Sequence, residues 1–280
     1  MIVSGEIEIV RQTRWLDPSF SWGLVPTMGY LHEGHLSLVQ RARSENDRVA
    51  VSIFVNPTQF APTEDLASYP RDLKRDLELL QAEDVDLVFI PDSDTMYPRN
   101  FQTTVRVEKV TKPLEGQARP THFEGVTTVV AKLFNIIQPT KAYFGQKDAQ
   151  QSVVIKQMVA DLNFNLELII CPTVRETDGL AMSSRNARLT AQQRAAAPIL
   201  FRALSAAASS LDEGERRGST LRRKMANMIE SEPLARLDYA SVADPETLVE
   251  LDEVEKGALL SLAVFFGDVR LIDNLLIEPV

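Results

Sequence analysis

Two of the three histidines in this chain, His32 and His35, lie three residues apart just after a turn that contains Gly29. A short apolar run precedes the turn and apolar residues at helical spacing follow it, so the pattern predicts strand, turn and helix. The start of a helix offers unpaired N–H groups and a partial positive charge, which suit an anion such as phosphate. We favour an anion site over two surface histidines, because Pro26, Gly29 and Gly34 surround the pair.

A zinc site is a weaker interpretation of the same two histidines. The helical zinc-protease motif needs histidines four residues apart with a glutamate between them. Here the spacing is three, Gly34 lies at the predicted helix start, and no cysteine or further histidine is near in sequence. The pattern therefore favours phosphate over a metal ion.

Polar side chains also follow a second apolar run, where Asn56 and Gln59 come after a predicted buried strand. Their amides can donate and accept hydrogen bonds at once, which suits a ligand with hydroxyl and carboxylate groups. A turn capped by Asn56 is the simpler interpretation of this segment by itself. Arg119 and the third histidine, His122, precede another apolar helix pattern, where Thr121 or Glu124 can equally be helix-start residues.

Lys147 and Arg185 are further candidate cations for a phosphate. Lys147 stands at a predicted strand-to-helix junction, where lysine is a common phosphate ligand and also a common surface residue. Arg185 follows Ser183 and Ser184 in a polar segment with Gly179, which suits a mobile loop that closes over phosphates. An interdomain linker is the alternative. The serines lack a G-x-S-x-G context, which disfavours an acyl nucleophile.

The elements that must position these residues alternate along the first part of the chain. Strand patterns alternate with helical patterns, which predicts βαβ units and a parallel sheet: the strands are 48–55, 86–90, 142–144 and 166–170, and the helices are 71–82, 126–137 and 149–162. Ligands in such sheets bind beyond the carboxyl ends of the strands, where the candidate residues fall. We therefore predict an α/β fold with a Rossmann-like parallel sheet and helices on both faces.

The pattern changes after about Val174. An alanine-rich helix is predicted over 190–211 and a second over 221–229, followed by strands over 239–242, 258–266 and 269–272. Helices followed by antiparallel strands predict a smaller C-terminal α+β domain. We place the boundary near Thr177, which gives domains of residues 1–176 and 177–280.

Composition limits the classes of partner. The formal net charge of −9 argues against a nucleic-acid binder held by bulk electrostatics. The single Cys171 excludes an intrachain disulfide and fits a reducing cytoplasm. The N-terminal residues lack the pattern of a signal peptide, and no stretch approaches the roughly 20 apolar residues that span a membrane. We expect a cytoplasmic location without a membrane or nucleic-acid partner.

Six motifs in this chain together resemble the pantoate–β-alanine ligase (pantothenate synthetase) family, within the H-x-G-H nucleotidyltransferase superfamily. They are P-T-M-G-Y-L-H-E-G-H-L-S-L from Pro26, S-I-F-V-N-P-T-Q-F from Ser52, Y-P-R from Tyr69, R-P-T-H-F-E-G-V-T-T-V-V-A-K-L-F from Arg119, F-G-Q-K-D-A-Q-Q from Phe144 and V-R-E-T-D-G-L-A-M-S-S-R-N from Val174. H-x-G-H by itself would indicate only the superfamily. Six motifs in family order are specific.

The resemblance implies an ATP-dependent ligation in two steps. The carboxylate of (R)-pantoate attacks the α-phosphate of ATP to give pantoyl adenylate and pyrophosphate, and the amine of β-alanine then displaces AMP to give pantothenate. It also implies Mg²⁺ as cofactor and a homodimer. The small domain and the loop over residues 182–185 would shield the adenylate from water.

The resemblance also implies roles for particular residues. His32, His35, Lys147 and Arg185 would be catalytic, with His35 as proton donor. Gln59 and Gln151 would bind pantoate, with Asn56 and Arg119 near the pantoate and β-alanine site, and Asp76 is a possible Mg²⁺ contact. The ATP site would comprise Met28, Gly29, Tyr30, Leu31, His32, Glu33, Gly34, His35, Gly145, Gln146, Lys147, Asp148, Val174, Met182, Ser183, Ser184 and Arg185.

Three departures from the family pattern and three other interpretations stand beside this one. Gln146 replaces a frequent glutamate, Arg188 replaces a frequent tyrosine, and the segment 72–76 holds fewer acids than some relatives. The other interpretations are a different adenylyl- or cytidylyltransferase on the same fold, a class I aminoacyl-tRNA synthetase, and a nucleotide-sensing protein without catalysis. The polar pocket of Asn56, Gln59 and Gln151 disfavours the first, and the full set of cations disfavours the last.

Overall fold

The central sheet of the computed structural model, which describes residues 1–61, 66–67 and 69–278, has six parallel strands in the order β1-β4-β3-β2-β5-β6. The strands are β1 (Ile2–Ser4), β2 (Trp22–Thr27), β3 (Arg48–Ile53), β4 (Leu87–Phe89), β5 (Lys141–Gly145) and β6 (Glu167–Cys171). The accompanying helices are α1 (Ile7–Trp15), α2 (Glu33–Glu45), α3 (Leu73–Ala82), α4 (Ser93–Met96), α5 (Glu115–Ala118), α6 (His122–Ile137) and α7 (Ala149–Asp161). The predicted α/β fold with a parallel sheet is confirmed.

Both faces of this sheet are covered, because successive side chains of a strand point to opposite sides. Ala50 of β3 packs into a core with α6 and α7, whereas its neighbours Val49 and Val51 pack into a second core with α2 and α3. The middle of β3 is therefore mainly apolar rather than alternating, as expected of a sheet between two helical layers. The prediction of helices on both faces is confirmed.

The C-terminal part of the chain has its own three-stranded antiparallel sheet, in the order β7-β8-β9. Its strands are β7 (Arg236–Ala243), β8 (Ala258–Phe266) and β9 (Val269–Ile277), and its helices are α8 (Ala191–Ala196), α9 (Ile199–Asp212) and α10 (Gly218–Glu230). One apolar core runs from Leu180 to Leu271 between these elements. The predicted smaller α+β domain is present, and the domain bounds of 1–176 and 177–280 stay a prediction.

One predicted element is wrong in detail. The helix expected over 190–211 is two helices, because α8 ends at Ala196 and α9 begins at Ile199. Pro198 lies at the break, where its missing N–H cannot continue the helix. Within the described residues, no helix has the length and apolar character needed to cross a membrane.

Candidate active site

The turn between β2 and α2 ends at His32, His35 follows in the first turn of α2, and Asp76 of α3 supports the turn; this segment is here called the histidine turn. Gly29 and Tyr30 have positive φ angles of 80° and 52°. The backbone N–H groups of Tyr30 and Leu31 donate to the Asp76 carboxylate at 2.8 and 2.7 Å. A side chain from 46 residues away in sequence therefore fixes the turn in a conformation that L-residues rarely adopt.

The rings of His32 and His35 lie against each other, with their centroids 4.0 Å apart. The His32 backbone N–H donates to Nδ1 of His35 at 3.4 Å, which places the His35 proton on Nε2. Nδ1 of His32 is buried and has no partner among the described residues. Gly34 makes room for this arrangement, because a Cβ there would lie 3.0 Å from the His32 ring and 3.6 Å from Cβ of Met182.

Burial keeps both histidines uncharged at pH 7. Burial, followed by the charge of Lys147, lowers the pKa of His32 from 6.5 to about 4. Burial, followed by His32 and then Lys147, lowers the pKa of His35 to about 3. Both rings are therefore uncharged hydrogen-bonding groups, and of the two only His35 lines the cavity described next, together with Lys147 and Arg185.

A cavity of about 910 Å³ lies between the carboxyl edge of the parallel sheet and the small domain. Its volume falls in the range of small-molecule sites. The predicted residues that line it are Met28, His35, Asn56, Gln59, Arg119, Lys147, Asp148, Gln151, Ser183 and Arg185. These residues come from five of the six motifs, and the remaining motif, Y-P-R, contributes Tyr69 to the lining.

Gln59 is the most tightly held of the predicted pantoate residues. Its side-chain Oε1 accepts from Nδ2 of Asn56 at 3.1 Å, and its own Nε2 donates to the sulfur of Met28 at 3.0 Å. Its backbone carbonyl accepts from Nδ1 of His122 at 2.9 Å and from Arg119 at 3.3 Å. The Gln59 amide is therefore oriented with its N–H groups away from Asn56, where they can donate hydrogen bonds to a ligand in the cavity.

Asn56 supports Gln59 and is 1% exposed. Its Nδ2 donates to Gln59 and to the carbonyl of Gly125, and its Oδ1 accepts from Thr58 and from the Tyr97 hydroxyl. Every polar atom of the side chain already has a protein partner. The geometry favours a positioning role over the direct ligand contact that we predicted for Asn56.

Lys147 lies on a short 3₁₀ helix, Gln146–Asp148, that joins β5 to α7. Its ammonium is 3.8 Å from the Asp148 carboxylate, and both residues line the cavity. Gln151 lies in the first turn of α7, beside them. The strand-to-helix junction predicted for the lysine is thus present, and the lysine side chain reaches the same cavity as His35.

The segment after β6 folds back on itself and presents Arg185. Met182 N–H donates to the carbonyl of Val174 at 3.0 Å, and Arg175 and Ala181 form a β-bridge. A second 3₁₀ helix follows over Ser184–Arg188, capped by the Ser183 hydroxyl. The Ser184 hydroxyl is buried and shares a hydrogen bond of 3.1 Å with Tyr69. Of the two serines, Ser183 faces the cavity.

Several predicted ATP-site residues lie outside the cavity lining. Glu33 is exposed at the helix start, and the Leu31 side chain is buried in the apolar core beneath the turn. Gly29 and Tyr30 belong to the turn between β2 and α2, whereas Gly145 ends β5 and Gln146 begins the 3₁₀ helix that follows it. Their roles stay predictions.

The predicted contact between Asp76 and Mg²⁺ does not fit the geometry. The Asp76 side chain is 1% exposed, and each carboxylate oxygen accepts a backbone N–H of the histidine turn. A metal ion would need an open approach to these oxygens. Burial and hydrogen bonding therefore favour a role for Asp76 in supporting the turn, and the Mg²⁺ contact stays a prediction. An acid near a phosphate site has two uses that look alike in sequence.

Sequence reasoning missed the residues that join distant parts of the site. Gln150 is buried, receives the Glu115 N–H at 3.0 Å and donates to the carbonyls of Val110 and Pro113. Glu115 in turn binds Arg270 of β9 through both carboxylate oxygens, at 2.7 and 2.8 Å. No local signal marks these contacts, because the partners are 35 to 155 residues apart in sequence.

The structure thus combines a Rossmann-like parallel sheet, an H-x-G-H segment where β2 leads into α2, and a cation-lined cavity at the carboxyl edge of that sheet. A sequence model of the family described as pantoate-beta-alanine ligase matches residues 3–276. The chain belongs to the pantoate-beta-alanine ligase family.

Individual relatives match over nearly the whole chain. The pantothenate synthetase of Chloroflexus aggregans is 64% identical over 256 residues, which are 91% of this chain and 92% of that relative. That of Herpetosiphon aurantiacus is 56% identical over 278 residues, 98% and 99% of the two chains. The crystal structure from Thermus thermophilus covers 100% of both chains with a TM-score of 0.95 at 47% identity. The ligase from Francisella tularensis, complexed with beta-gamma ATP and beta-alanine, covers 99% and 97% with a TM-score of 0.81 at 36% identity.

Proposed function

We propose that this chain condenses (R)-pantoate with β-alanine to pantothenate, with cleavage of ATP to AMP and pyrophosphate. The observation that carries the proposal is the single cavity lining that combines Gln59 and Gln151 with His35, Lys147 and Arg185. Amides suit the hydroxyl and carboxylate groups of pantoate, and cations with imidazoles suit the phosphates of ATP. Family membership supports the same reaction.

The first step forms an acyl adenylate. A pantoate carboxylate oxygen bonds to the α-phosphorus of ATP, and the bond from that phosphorus to the bridging oxygen breaks to release pyrophosphate. Negative charge grows on the phosphate oxygens, and fixed donors and cations stabilise it without reorganisation. We assign this task to Lys147 and Arg185, with His32 and His35 as further donors.

The histidines act in this proposal as neutral donors first. With pKa values of about 4 and 3, neither ring is an imidazolium ion at pH 7, so neither holds a second proton that it could transfer as an acid. Nε2–H of His35 can donate a hydrogen bond to a phosphate oxygen, because its Nδ1 is already an acceptor. The negative charge of ATP would raise both pKa values, and the proton donation implied by the resemblance requires this rise.

The second step transfers the pantoyl group. The neutral amine of β-alanine bonds to the acyl carbon, the bond from carbon to the phosphate oxygen breaks, AMP leaves, and the amine loses a proton. No covalent enzyme intermediate is needed, in keeping with the lack of a serine elbow. The small domain covers the cavity and would limit hydrolysis of the adenylate.

Mg²⁺, a cytoplasmic location and a homodimer belong to the proposal as well. Among the described residues, no group of three histidine, cysteine or acidic side chains could hold a metal ion. The oxygens of Asp76 are already used by the histidine turn. We therefore expect ATP phosphate oxygens to hold Mg²⁺, and the steps above do not run through it.

The test has two assays. The first measures AMP release from ATP in the presence of Mg²⁺, with pantoate and β-alanine supplied together and with each omitted in turn. The second measures exchange of pyrophosphate into ATP with pantoate as the only other substrate. AMP and pantothenate should form only with both substrates, and exchange should need only pantoate. If neither signal appears in protein that binds ATP, the chain is a different nucleotidyltransferase. A screen of other acids and phosphorylated alcohols as nucleotide acceptors would then follow.

A further inference from the structure

Two neighbouring residues of β9, Asp273 and Asn274, reach from the small domain to the loops that carry Lys147 and Arg185. Both side chains are nearly completely buried, with 3% and 4% of their surface exposed. They are successive residues of a strand, so their side chains leave it on opposite sides. This allows one short piece of strand to contact two different loops.

Asn274 holds the lysine turn by its backbone. Its Nδ2 donates to the carbonyls of Gln146 and Lys147 at 3.0 and 2.9 Å. Its Oδ1 accepts from Nε2 of Gln146 at 3.2 Å. The amide thus uses both N–H bonds and its oxygen on one turn, and this fixes the point from which the Lys147 side chain enters the cavity.

Asp273 holds the arginine loop through Arg175. The guanidinium of Arg175 binds both carboxylate oxygens of Asp273, at 2.6 and 2.9 Å. The same arginine donates to the carbonyls of Gly179 and Asn274 at 3.1 and 3.3 Å. A bidentate, buried pair of this kind fixes orientation as well as distance. The loop that leads to Arg185 therefore starts from an anchored residue.

We propose that Asp273 and Asn274, here called the β9 clamp, are positioning residues that set the relative placement of Lys147 and Arg185 for the adenylation step. The two cations lie on separate segments: the lysine turn is bonded to the Asn274 side chain, and the arginine loop is bonded through Arg175 to the Asp273 carboxylate and the Asn274 carbonyl. The inference rests on the proposed function. Under this proposal the small domain positions Lys147 and Arg185 as well as covering the cavity.

The clamp also gives a reason for Gln146, which stands where the family pattern often has glutamate. The Gln146 amide donates to Oδ1 of Asn274. A glutamate carboxylate has no hydrogen to donate at neutral pH, so it could not form this bond. Gln146 therefore serves the clamp through its side chain and through its backbone carbonyl.

The test compares Asn274→Ala with Asn46→Ala in pyrophosphate exchange with pantoate, with thermal unfolding measured for both. Asn46 is a matched control, since it is 9% exposed and its Nδ2 also donates twice, to the carbonyl of Ala42 and to the Tyr143 hydroxyl. It lies at the end of α2 that is remote from the histidines. A small shift of a reacting group lowers the rate by about 10–100-fold.

We expect Asn274→Ala to lower kcat for exchange by about 10–100-fold with the KM for pantoate changed less than about threefold, because Gln59 is held elsewhere. Asn46→Ala should lower the Tm by about as much as Asn274→Ala does, since each removes a buried amide, and should leave kcat within about twofold of the wild type. The proposal would be overturned if kcat of Asn274→Ala were within twofold of the wild-type value. It would also be overturned if the fraction of unfolded protein in the assay accounted for the whole loss of rate.

Two further variants keep the test decisive. If Asn274→Ala does not fold, Asn274→Ser retains one donor and should show a smaller loss of kcat with the same unchanged KM; a normal kcat in this variant would overturn the proposal. Arg175→Lys keeps the charge and loses the bidentate geometry. It should likewise lower kcat. An inactive wild type would refute the proposed function, whereas an unaffected variant of an active wild type would refute the clamp.

Discussion

Gly125→Ala is predicted to disable the pantoate site from within a helix. Gly125 lies in α6, where the backbone of Thr58 and Gln59 passes so close that a Cβ would lie 2.5 Å from the Thr58 carbonyl oxygen and 2.6 Å from the Gln59 nitrogen. Ordinary contact begins at 3.4 Å, so the segment must retreat by about 0.9 Å. The obstacle is backbone, which cannot rotate away as a side chain can.

The retreat carries Gln59 away from the cavity and strains the Asn56 bond to the Gly125 carbonyl, which is 3.1 Å long. A misplacement of about 1 Å costs on the order of 100-fold in rate, so kcat/KM for pantoate should fall by about that factor. Overpacking should also lower the free energy of unfolding by about 1–3 kcal/mol. This is opposite in sign to the gain of about 1 kcal/mol expected for alanine over glycine in a helix.

Steady-state kinetics with pantoate and ATP varied in turn would check this prediction. The KM for ATP should change less than the KM for pantoate, because the backbone atoms that a Cβ at Gly125 would meet belong to Thr58 and Gln59. Asn135→Ala is the control, since Asn135 is an exposed position of the same helix with no role in the site. If Gly125→Ala is as active and at least as stable as the wild type, the steric reasoning and the role of Gln59 both fail.

Three further predictions concern the histidine turn and Lys147. His35→Ala and Lys147→Ala should each lower turnover by about 100-fold or more and leave the circular dichroism spectrum unchanged; near-normal turnover would refute the role assigned to that residue. The folded pKa of His35, about 3, lies below the usual 6.5, so acid favours the unfolded chain. Between pH 7.5 and 5, the wild type should lose about 2 kcal/mol more stability in urea unfolding than His35→Gln, and parallel curves would contradict this. Asp76→Asn should leave one N–H of the turn unsatisfied, lower stability by about 1–3 kcal/mol and weaken ATP binding equally at all Mg²⁺ concentrations. A changed Mg²⁺ dependence would instead restore Asp76 as a metal contact.

The sequence was informative where the signal is local. Apolar strands followed by helical periodicity predicted the parallel sheet, because each element must bury its own face. The candidate residues Asn56 and Lys147 could be placed at one edge of the sheet because the carboxyl ends of parallel strands share that edge.

The sequence was silent where a role depends on a distant partner. The sequence around Asp76 looks the same whether the residue binds a metal ion or supports the histidine turn. The hydrogen bonds from the N–H groups of Tyr30 and Leu31, seen only in the structure, favour the second role. Asn274 lies 128 residues from Gln146. Such contacts follow from the docking of two domains, which periodicity and spacing do not encode.

The neutral state of the histidines has a consequence for turnover. A site with two imidazolium ions beside Lys147 and Arg185 would bind pyrophosphate as strongly as it stabilises the transition state, and uniform binding of this kind slows release without helping the chemistry. Burial keeps the pKa values of His32 and His35 low, and in the proposed reaction the charge of bound ATP would raise them. When pyrophosphate leaves, the same burial favours loss of the protons. The pair can therefore respond to the charge of the bound nucleotide, while the fixed cations provide the part of the binding that does not change.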